Sequence, residues 1–91
     1  MRLEYWSVIF APEDVYLHPT MQRKILHGMV YGSQNFSDGT WINTTELIAV
    51  DTDHVAATMS GSKYILGNVD PLYERDFPNA YERLVRVYRS H

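Results

Sequence analysis

The sequence predicts a small α+β domain, mainly an antiparallel β meander or small barrel with a short C-terminal helix. Three observations predict this class: segments of alternating side-chain type, turn residues that recur about every 8–12 positions, and helical spacing near the C-terminus. The length of 91 residues suits a single domain, and we assign residues 1–91 to it.

The first two strands are predicted at Leu3 to Phe10 and at Arg23 to Tyr31. In the first strand, regular alternation places odd-numbered side chains on one face and even-numbered ones on the other, and both faces carry large residues. The stretch from Val15 to Gln22 contains Pro19 and no clean period, so we expect a loop or an irregular edge segment there. Gly28 within the second strand predicts a bulge or the close approach of another backbone.

Three further strands are expected downstream, separated by compact turns. Thr40 to Val50 carries one bent strand or two, while His54 to Met59 and Lys63 to Leu66 carry one each. The turns at Asp51–Asp53 and Ser60–Ser62 contain Asp, whose side chain bonds nearby amides, and Gly, which accepts a positive φ.

Helical spacing begins near the C-terminus. Asp70 followed by Pro71 is typical of a helix start, and we expect a short helical turn through Tyr73. Asn79 with Glu82 three residues later predicts a second helix that opens with a capping box. The apolar stripe of this helix has helical spacing and consists of Tyr81, Leu84, Val85 and Tyr88.

Composition excludes several classes of protein. With no cysteine, the chain has no disulfide framework, no thiolate metal site and no cysteine nucleophile. The net charge of −3 disfavours nucleic acid as a partner. The apolar runs are too short for a signal peptide or a membrane span, so we expect a cytoplasmic protein with no membrane partner.

Aromatic content is the unusual feature of the composition. The chain contains seven tyrosines, three phenylalanines and two tryptophans. Tyrosine combines an apolar ring with a polar end, which suits interfaces and ligand pockets. Tyr31 and Tyr64 are predicted at strand ends, where a pocket rim would lie, and part of the aromatic surface is predicted to be buried in a homo-oligomer.

No residue pattern typical of catalysis or of metal binding is present. The four histidines have no partner at metal-ligand spacing. Asp51 and Asp53 fit an Asx turn better than a calcium loop. Phosphate-binding glycine motifs and the G-x-S-x-G nucleophile motif are missing from the sequence. We therefore predict a non-enzymatic protein with no catalytic residues, no metal and no cofactor.

The strongest candidate for ligand binding is Phe36 to Thr45 taken together with Ser60 to Gly67. These segments combine tight turns, small hydroxyl residues, an aromatic ring and a lysine. Such a set can stack a base and hold a phosphate. The same residues also fit a plain hairpin with turn-forming residues, and composition by itself favours that simpler interpretation.

These two segments match the pattern F-x-D-G-x-x-I-x-T-[ST] followed by S-G-[ST]-x-Y-x-L-G, and Asp70 to Glu74 continues it. The pattern resembles small phage and prophage β-domain proteins of the Thoeris anti-defence type, over about residues 32–74. Proteins of that type are oligomeric sponges that sequester a cyclic ADP-ribose immune signal without cleaving it. The resemblance implies a binding protein for a small nucleotide-type ligand, acting in the cytoplasm of a host cell.

The resemblance also implies roles for individual residues. Phe36 would stack on a base, and Lys63 would face a phosphate from the second turn. Thr45 and Glu46 would line the pocket, and Arg23 would add a second cation. The acidic charge fits two other functions equally well: a phage-type inhibitor that binds a host defence protein directly, as anti-CRISPR proteins do, or a plain protein-interaction module.

Overall fold

The computed structural model describes residues 1–89, and within them the chain folds as a closed five-stranded barrel with two helices at its C-terminal end. The barrel follows chain order, and every neighbouring pair is antiparallel except the pair that closes it. This architecture confirms the predicted fold class. The elements are β1 (Arg2–Phe10), β2 (Lys24–Tyr31), β3 (Thr40–Val50), β4 (Val55–Thr58), β5 (Lys63–Leu66), α1 (Pro71–Asp76) and α2 (Ala80–Tyr88).

Closure of the barrel joins β1 to the segment that starts at β5. Leu3 lies opposite Leu66 in a short parallel ladder. Beyond that ladder the Trp6 amide donates to the Asn68 carbonyl at 3.3 Å, and the Asp70 amide donates to the Trp6 carbonyl at 2.9 Å. The chain therefore leaves the barrel alongside the middle of β1, and this path delivers it to the start of α1.

A kink at Tyr5 corrects the predicted faces of β1. Tyr5 has a φ of +50°, and the register with β2 shifts between Glu4 and Ser7. One extra residue in a strand reverses the alternation beyond it. Leu3 and Trp6 consequently both point into the core and are 0 % exposed, although their odd and even numbers predict opposite faces.

The barrel interior is a mainly apolar core in which Trp6 is the largest fully buried side chain. Its indole Nε1–H donates to the Gly67 carbonyl at 3.1 Å, so the one polar atom of this buried ring has a partner. Tyr64 also belongs to the core at 7 % exposure, which corrects its predicted place on a pocket rim. The fully buried side chains are Leu3, Trp6, Leu26, Val30, Val50 and Ala56.

The packing explains why Gly28 lies within β2, and it shows whether Thr40–Val50 forms one strand or two. A Cβ added to Gly28 would lie 2.9 Å from the Glu4 carbonyl oxygen and 2.9 Å from Leu3 Cγ, so the predicted close approach is confirmed. Thr40–Val50 is one strand, with a register irregularity on each side. The Thr44 hydroxyl fills the irregularity beside β2 by accepting the Leu26 amide at 2.9 Å.

The two helices are fastened to each other by a carboxylate. α1 opens as predicted, because the Asp70 side chain accepts the Leu72 amide at 2.9 Å. The predicted capping box of α2 is wrong: Asn79 has a φ of +61° and its side chain caps nothing. Glu74 of α1 takes over that role by accepting the amides of Asn79 at 2.9 Å and Ala80 at 3.4 Å. The Glu74 carboxylate therefore links α1 directly to the start of α2.

Candidate functional site

The structure brings the two halves of the sequence motif together at one end of the β4–β5 hairpin. Thr45 Oγ1 donates to Ser60 Oγ at 3.2 Å and accepts the Ser60 amide at 3.1 Å. The hydroxyls of Thr58 and Ser62 also lie within 3.4 Å of Ser60 Oγ, and we call these four residues, Thr45, Thr58, Ser60 and Ser62, the hydroxyl cluster. Because these hydroxyl groups bond mainly to one another and to the Ser60 amide, the hydroxyl cluster stabilises the turn at Ser60–Ser62.

Lys63 and Phe36 lie in two different connections of the barrel, and both are accessible to solvent. Lys63 is exposed at the start of β5, directly after the hydroxyl cluster, and its Cα pairs with Ala57. Phe36 is half exposed in the loop between β2 and β3. The predicted aromatic and the predicted phosphate-facing lysine are therefore both available to solvent.

Arg23 lies at the far end of β2 from Phe36. The seven-residue rise of β2 separates the two ends by about 23 Å, so one ligand does not touch both side chains. Arg23 is also engaged already: its Nε and Nη2 donate to the two carboxylate oxygens of Asp14 at 2.8 Å, and its own amide bonds Asp14 at 2.8 Å. These hydrogen bonds lower the pKa of the buried Asp14 carboxyl from 3.8 to about 2.

Glu46 lies on the side of the barrel that α2 covers. It pairs with Ile25, and its charge raises the pKa of Arg23, after the larger effect of Asp14. Burial, followed by the charge of Glu46, raises the pKa of Tyr88 on α2. Among the five predicted site residues, Glu46 and Arg23 form one neighbourhood, while Phe36 lies at the opposite end of β2.

A concave site of a different composition lies between the helices and the barrel. It has two joined parts of about 240 and 210 Å³, which share Val8, Lys24, Tyr73 and Phe77. The rings of Tyr73 and Phe77 stand 4.9 Å apart at an angle of 35°. We call this surface the helix groove. Its aromatic and cationic lining residues are Phe10, Lys24, Tyr73, Phe77, Arg83 and Tyr88, and its other lining residues are aliphatic.

Two cations line the helix groove of a protein that is acidic overall, and the Glu46 carboxylate lies outside the lining but close enough for its charge to act on Tyr88. Lys24 and Arg83 line it, and no carboxylate is among its lining residues. Within residues 1–89, neither cation takes part in an ion pair. Burial raises the pKa of Tyr73, and the nearby charge of Arg83 opposes that rise. Two aromatic rings at the rim, Phe10 and Phe77, remain about half exposed.

Sequence reasoning missed this groove because its members come from three distant segments. Val8 to Phe10 ends β1, Lys24 begins β2, and the remainder belongs to the helices. The prediction of α1 as a turn through Tyr73 is too short, because the helix continues to Asp76 and places Phe77 beyond it. The available signal was the pair of aromatics at positions 73 and 77, one helical turn apart.

The histidines and acidic turns have structural partners. His27 stacks on Trp41 at 5.1 Å and bonds Asn43 at 2.7 Å, while His54 stacks on Tyr81 at 4.0 Å. Asp51 Oδ1 accepts the amides of Asp53 and Val55, which confirms the predicted Asx turn. Across residues 1–89, no group of three or more metal-binding side chains comes together. No helix in that range is long and apolar enough to span a bilayer.

Comparison with known proteins gives no relative: no protein-family model matches the chain, nor does any curated protein or any solved structure. The assignment of a ligand therefore depends on the chemistry of the helix groove and of the motif residues.

Proposed function

We propose that the chain is a non-enzymatic binding protein that sequesters a nucleotide-type anion in the helix groove. The observation that carries the proposal is the placement of two cations and several aromatic rings in one concavity that holds no carboxylate. Ligand pockets are typically concave and mostly apolar, with few polar groups that fix orientation. The proposal includes no chemical step on the ligand.

In the groove, the base and the phosphate of a nucleotide would bind at separate positions. Phe10 and Phe77 present rings to which a flat heterocycle can stack, and stacking contributes about 1–3 kcal/mol per base. Lys24 lies in both parts of the groove, and Arg83 lines the second part. A phosphate between these side chains would make charge-assisted hydrogen bonds, which are about twice as strong as neutral ones.

The motif resemblance supplies the biological setting of the proposal. It suggests a cyclic nucleotide-type immune signal as the ligand and the cytoplasm of a phage-infected host cell as the place of action. In that setting the protein is a phage anti-defence factor, and binding by itself lowers the concentration of free signal. The motif residues Phe36 and Lys63 lie outside the groove lining, so their contribution can be tested separately from that of the groove.

A second candidate function follows from the apolar residues around the groove. Val87, which lines the groove, is 69 % exposed, and Phe10 and Phe77 at its rim are about half exposed. An apolar rim around a basic centre also fits an acidic host protein, bound directly. This candidate predicts a groove that is indifferent to nucleotides.

The test is a thermal-shift and calorimetric titration with cyclic ADP-ribose, AMP and ADP. Ligand present 100-fold above its Kd stabilises the native state by about 2.7 kcal/mol, so a bound nucleotide raises Tm measurably. Lys24→Glu and Arg83→Glu are expected to weaken binding by about 10- to 100-fold, because each replaces an attraction of about 1.5–3 kcal/mol. The matched control is Lys63→Glu, an exposed lysine outside the groove.

Three results would contradict the groove assignment. A wild-type protein indifferent to every nucleotide refutes the function itself. Loss of binding in Lys63→Glu or Phe36→Ala, with retention in Lys24→Glu, moves the site to the motif residues. Conversion of the nucleotide during titration, followed by mass spectrometry, makes the protein an enzyme.

A further inference from the structure

Large side chains stand on the outer face of the barrel where β2 and β3 run side by side. Trp41 on β3 pairs with Met29 on β2, and Asn43 pairs with His27. Trp41 is 50 % exposed, and its ring lies 5.1 Å from that of His27 at an angle of 17°. His27 is fixed in turn, because its Nδ1 lies 2.7 Å from Asn43 Oδ1. The indole is therefore an exposed ring that a strand and a stacked neighbour hold in place.

A shallow depression of about 430 Å³ adjoins these residues on the other side of Tyr31. Its lining residues come from strands and from the loop between β2 and β3: Met1, Arg2, Tyr31, Gly32, Asp38 and Ile65. The guanidinium carbon of Arg2 lies 5.2 Å from the centre of the Tyr31 ring. Arg2 Nε lies 3.1 Å from a Glu4 carboxylate oxygen, and Asp38 Oδ1 accepts the Gly32 amide at 2.9 Å. The Nη groups of Arg2 and Oδ2 of Asp38 keep hydrogen-bonding capacity for a ligand.

The charges around this depression do not select an anion. Its lining holds one cation, Arg2, and one carboxylate, Asp38, while Glu4 adds a second carboxylate beside Arg2. Residues 40–45, which carry Trp41, contain no charged residue. The helix groove differs, because two cations and no carboxylate line it. A phosphate therefore gains no net attraction at this second surface, and Arg2 in the lining also disfavours a cationic ligand.

We propose that this surface binds an uncharged oligosaccharide, and we call it the aromatic face. Its members are Arg2, His27, Tyr31, Asp38, Trp41 and Asn43. The C–H groups on one side of a pyranose ring can pack against the negative face of the Trp41 indole. Sugar hydroxyls both donate and accept, so they fit the donors of Arg2, the free acceptor of Asp38 and the side-chain amide of Asn43.

The spacing of the aromatic face favours a ligand made of several rings. Trp41 lies opposite Met29, so Tyr31, two residues farther along β2, is its diagonal neighbour. Diagonal neighbours in an antiparallel pair lie about 7–8 Å apart. A first sugar on the indole therefore leaves the next sugar beside Tyr31, where the depression offers Arg2 and Asp38. A single nucleoside would use only one of these two positions.

The test is a fluorescence titration with three uncharged trisaccharides: maltotriose, cellotriose and the trimer of N-acetylglucosamine. The chain has two tryptophans, and Trp6 is fully buried with its Nε1–H bonded, so a ligand on the aromatic face changes the emission of Trp41. The wild type is expected to bind at least one trisaccharide with a Kd of about 1 mM or tighter.

Variants of two exposed aromatic residues locate the site, with calorimetry as the readout. Trp41→Ala is expected to weaken trisaccharide binding by about 10-fold or more, and Trp41→Phe, which keeps a ring, by less. Phe10→Ala is the matched control, because Phe10 is 48 % exposed but lines the helix groove. This control is expected to bind as the wild type does. The emission of Trp6 shows whether each variant keeps an intact barrel.

A wild type that binds none of the three trisaccharides overturns the proposal. Equal weakening in Trp41→Ala and Phe10→Ala overturns the assignment to the aromatic face. Adenosine that binds there more tightly than every trisaccharide makes the surface a nucleoside site and overturns the ligand class. Failure of the groove proposal is recognised separately, because Lys24→Glu is expected to retain trisaccharide binding and Trp41→Ala to retain nucleotide binding.

Discussion

The two halves of strand β3 are held in different ways. The C-terminal half, from Leu47 to Val50, pairs with β4, and α2 packs against the strand with Tyr81 bonded just beyond it at Asp51. The N-terminal half, from Thr40 to Thr45, pairs with β2 alone. One strand thus runs from an end of the barrel that α2 covers, which we call the covered end, to an end that carries the loop between β2 and β3, which we call the open end.

The two ends of the barrel also differ in the surfaces that they present to solvent. The covered end holds the helix groove, whose walls are fixed by packing against the barrel and by the Glu74 cap. The open end contributes Ile42 and Val30 to the core, and it presents Trp41 to solvent with half of that side chain exposed. The shape of the helix groove therefore depends on the covered end, whereas both ends contribute side chains to the core.

The largest contrast is expected from truncating one large side chain at each end. Leu84→Ala removes a buried contact of α2 with the core, and such changes cost about 2–5 kcal/mol. Trp41→Ala at the open end is expected to cost less than Leu84→Ala, because half of the Trp41 side chain is already in water. Urea unfolding of both variants at the same protein concentration measures the difference. Equal costs would remove the distinction between the ends.

An intermediate effect is expected from acid, through the Asp14–Arg23 pair at the covered end. The hydrogen bonds from Arg23 hold the pKa of Asp14 at about 2, below its ordinary 3.8. A carboxyl with a depressed pKa in the folded state stabilises the fold fully above its unfolded pKa, and this contribution fades as pH falls from 3.8 toward 2. Asp14→Asn is expected to be less stable near neutral pH and to lose this part of the acid dependence.

Unfolding curves across that pH range provide the measurement, with Asp53→Asn as the control. Asp53 is exposed in the turn after β3, so its replacement is expected to leave the acid dependence intact. An Asp14→Asn profile parallel to that of the wild type would show that the ion pair does not stabilise the fold.

The smallest effect is expected from the hydroxyl that ties α2 to the end of β3. Tyr81 Oη donates to the Asp51 carbonyl at 2.8 Å and accepts the His54 amide at 3.2 Å. Tyr81→Phe keeps the ring stacked on His54 and loses about 1 kcal/mol of net hydrogen bonding. Tyr16→Phe, at a residue that is 95 % exposed, is the control and is expected to change nothing. Amide exchange at His54 that stays slow in Tyr81→Phe would contradict the role of this hydroxyl.

Local signals predicted most of the barrel. The bounds of β3 and β5 are as predicted, and β1 and β2 differ by one residue at their starts, because alternation and turn residues act over short distances. The face reversal at Tyr5 was not predictable, since a bulge forms in response to the partner strand and not to the local sequence. The local sequence likewise predicts Asn79 as the cap of α2. Glu74 of the neighbouring helix bonds the amide at this helix start instead, and a contact between two elements has no local sequence signal.

The candidate site was less predictable than the fold. Thr45 lies beside the Ser60 turn because β3 and the β4–β5 hairpin adjoin in one meander, an arrangement that the order of the predicted strands favours. The helix groove depends on how α1 and α2 settle across the ends of β1 and β2, which no local pattern encodes. Lys24 shows the difficulty: next to Arg23 in sequence, it faces the groove while its neighbour is bound by Asp14.

Closure of the barrel through β1 also bears on how the protein is made. Trp6 finds its bonding partners at Gly67, Asn68 and Asp70, more than sixty positions away. The β2–β3 and β4–β5 hairpins can form while the chain is still being synthesised, whereas Trp6 must wait until residue 70 has left the ribosome. Contacts of such wide sequence separation slow folding because the connecting loop must close first. During that interval the largest apolar side chain of the core stays in water, which makes β1 the segment most dependent on rapid completion of the chain.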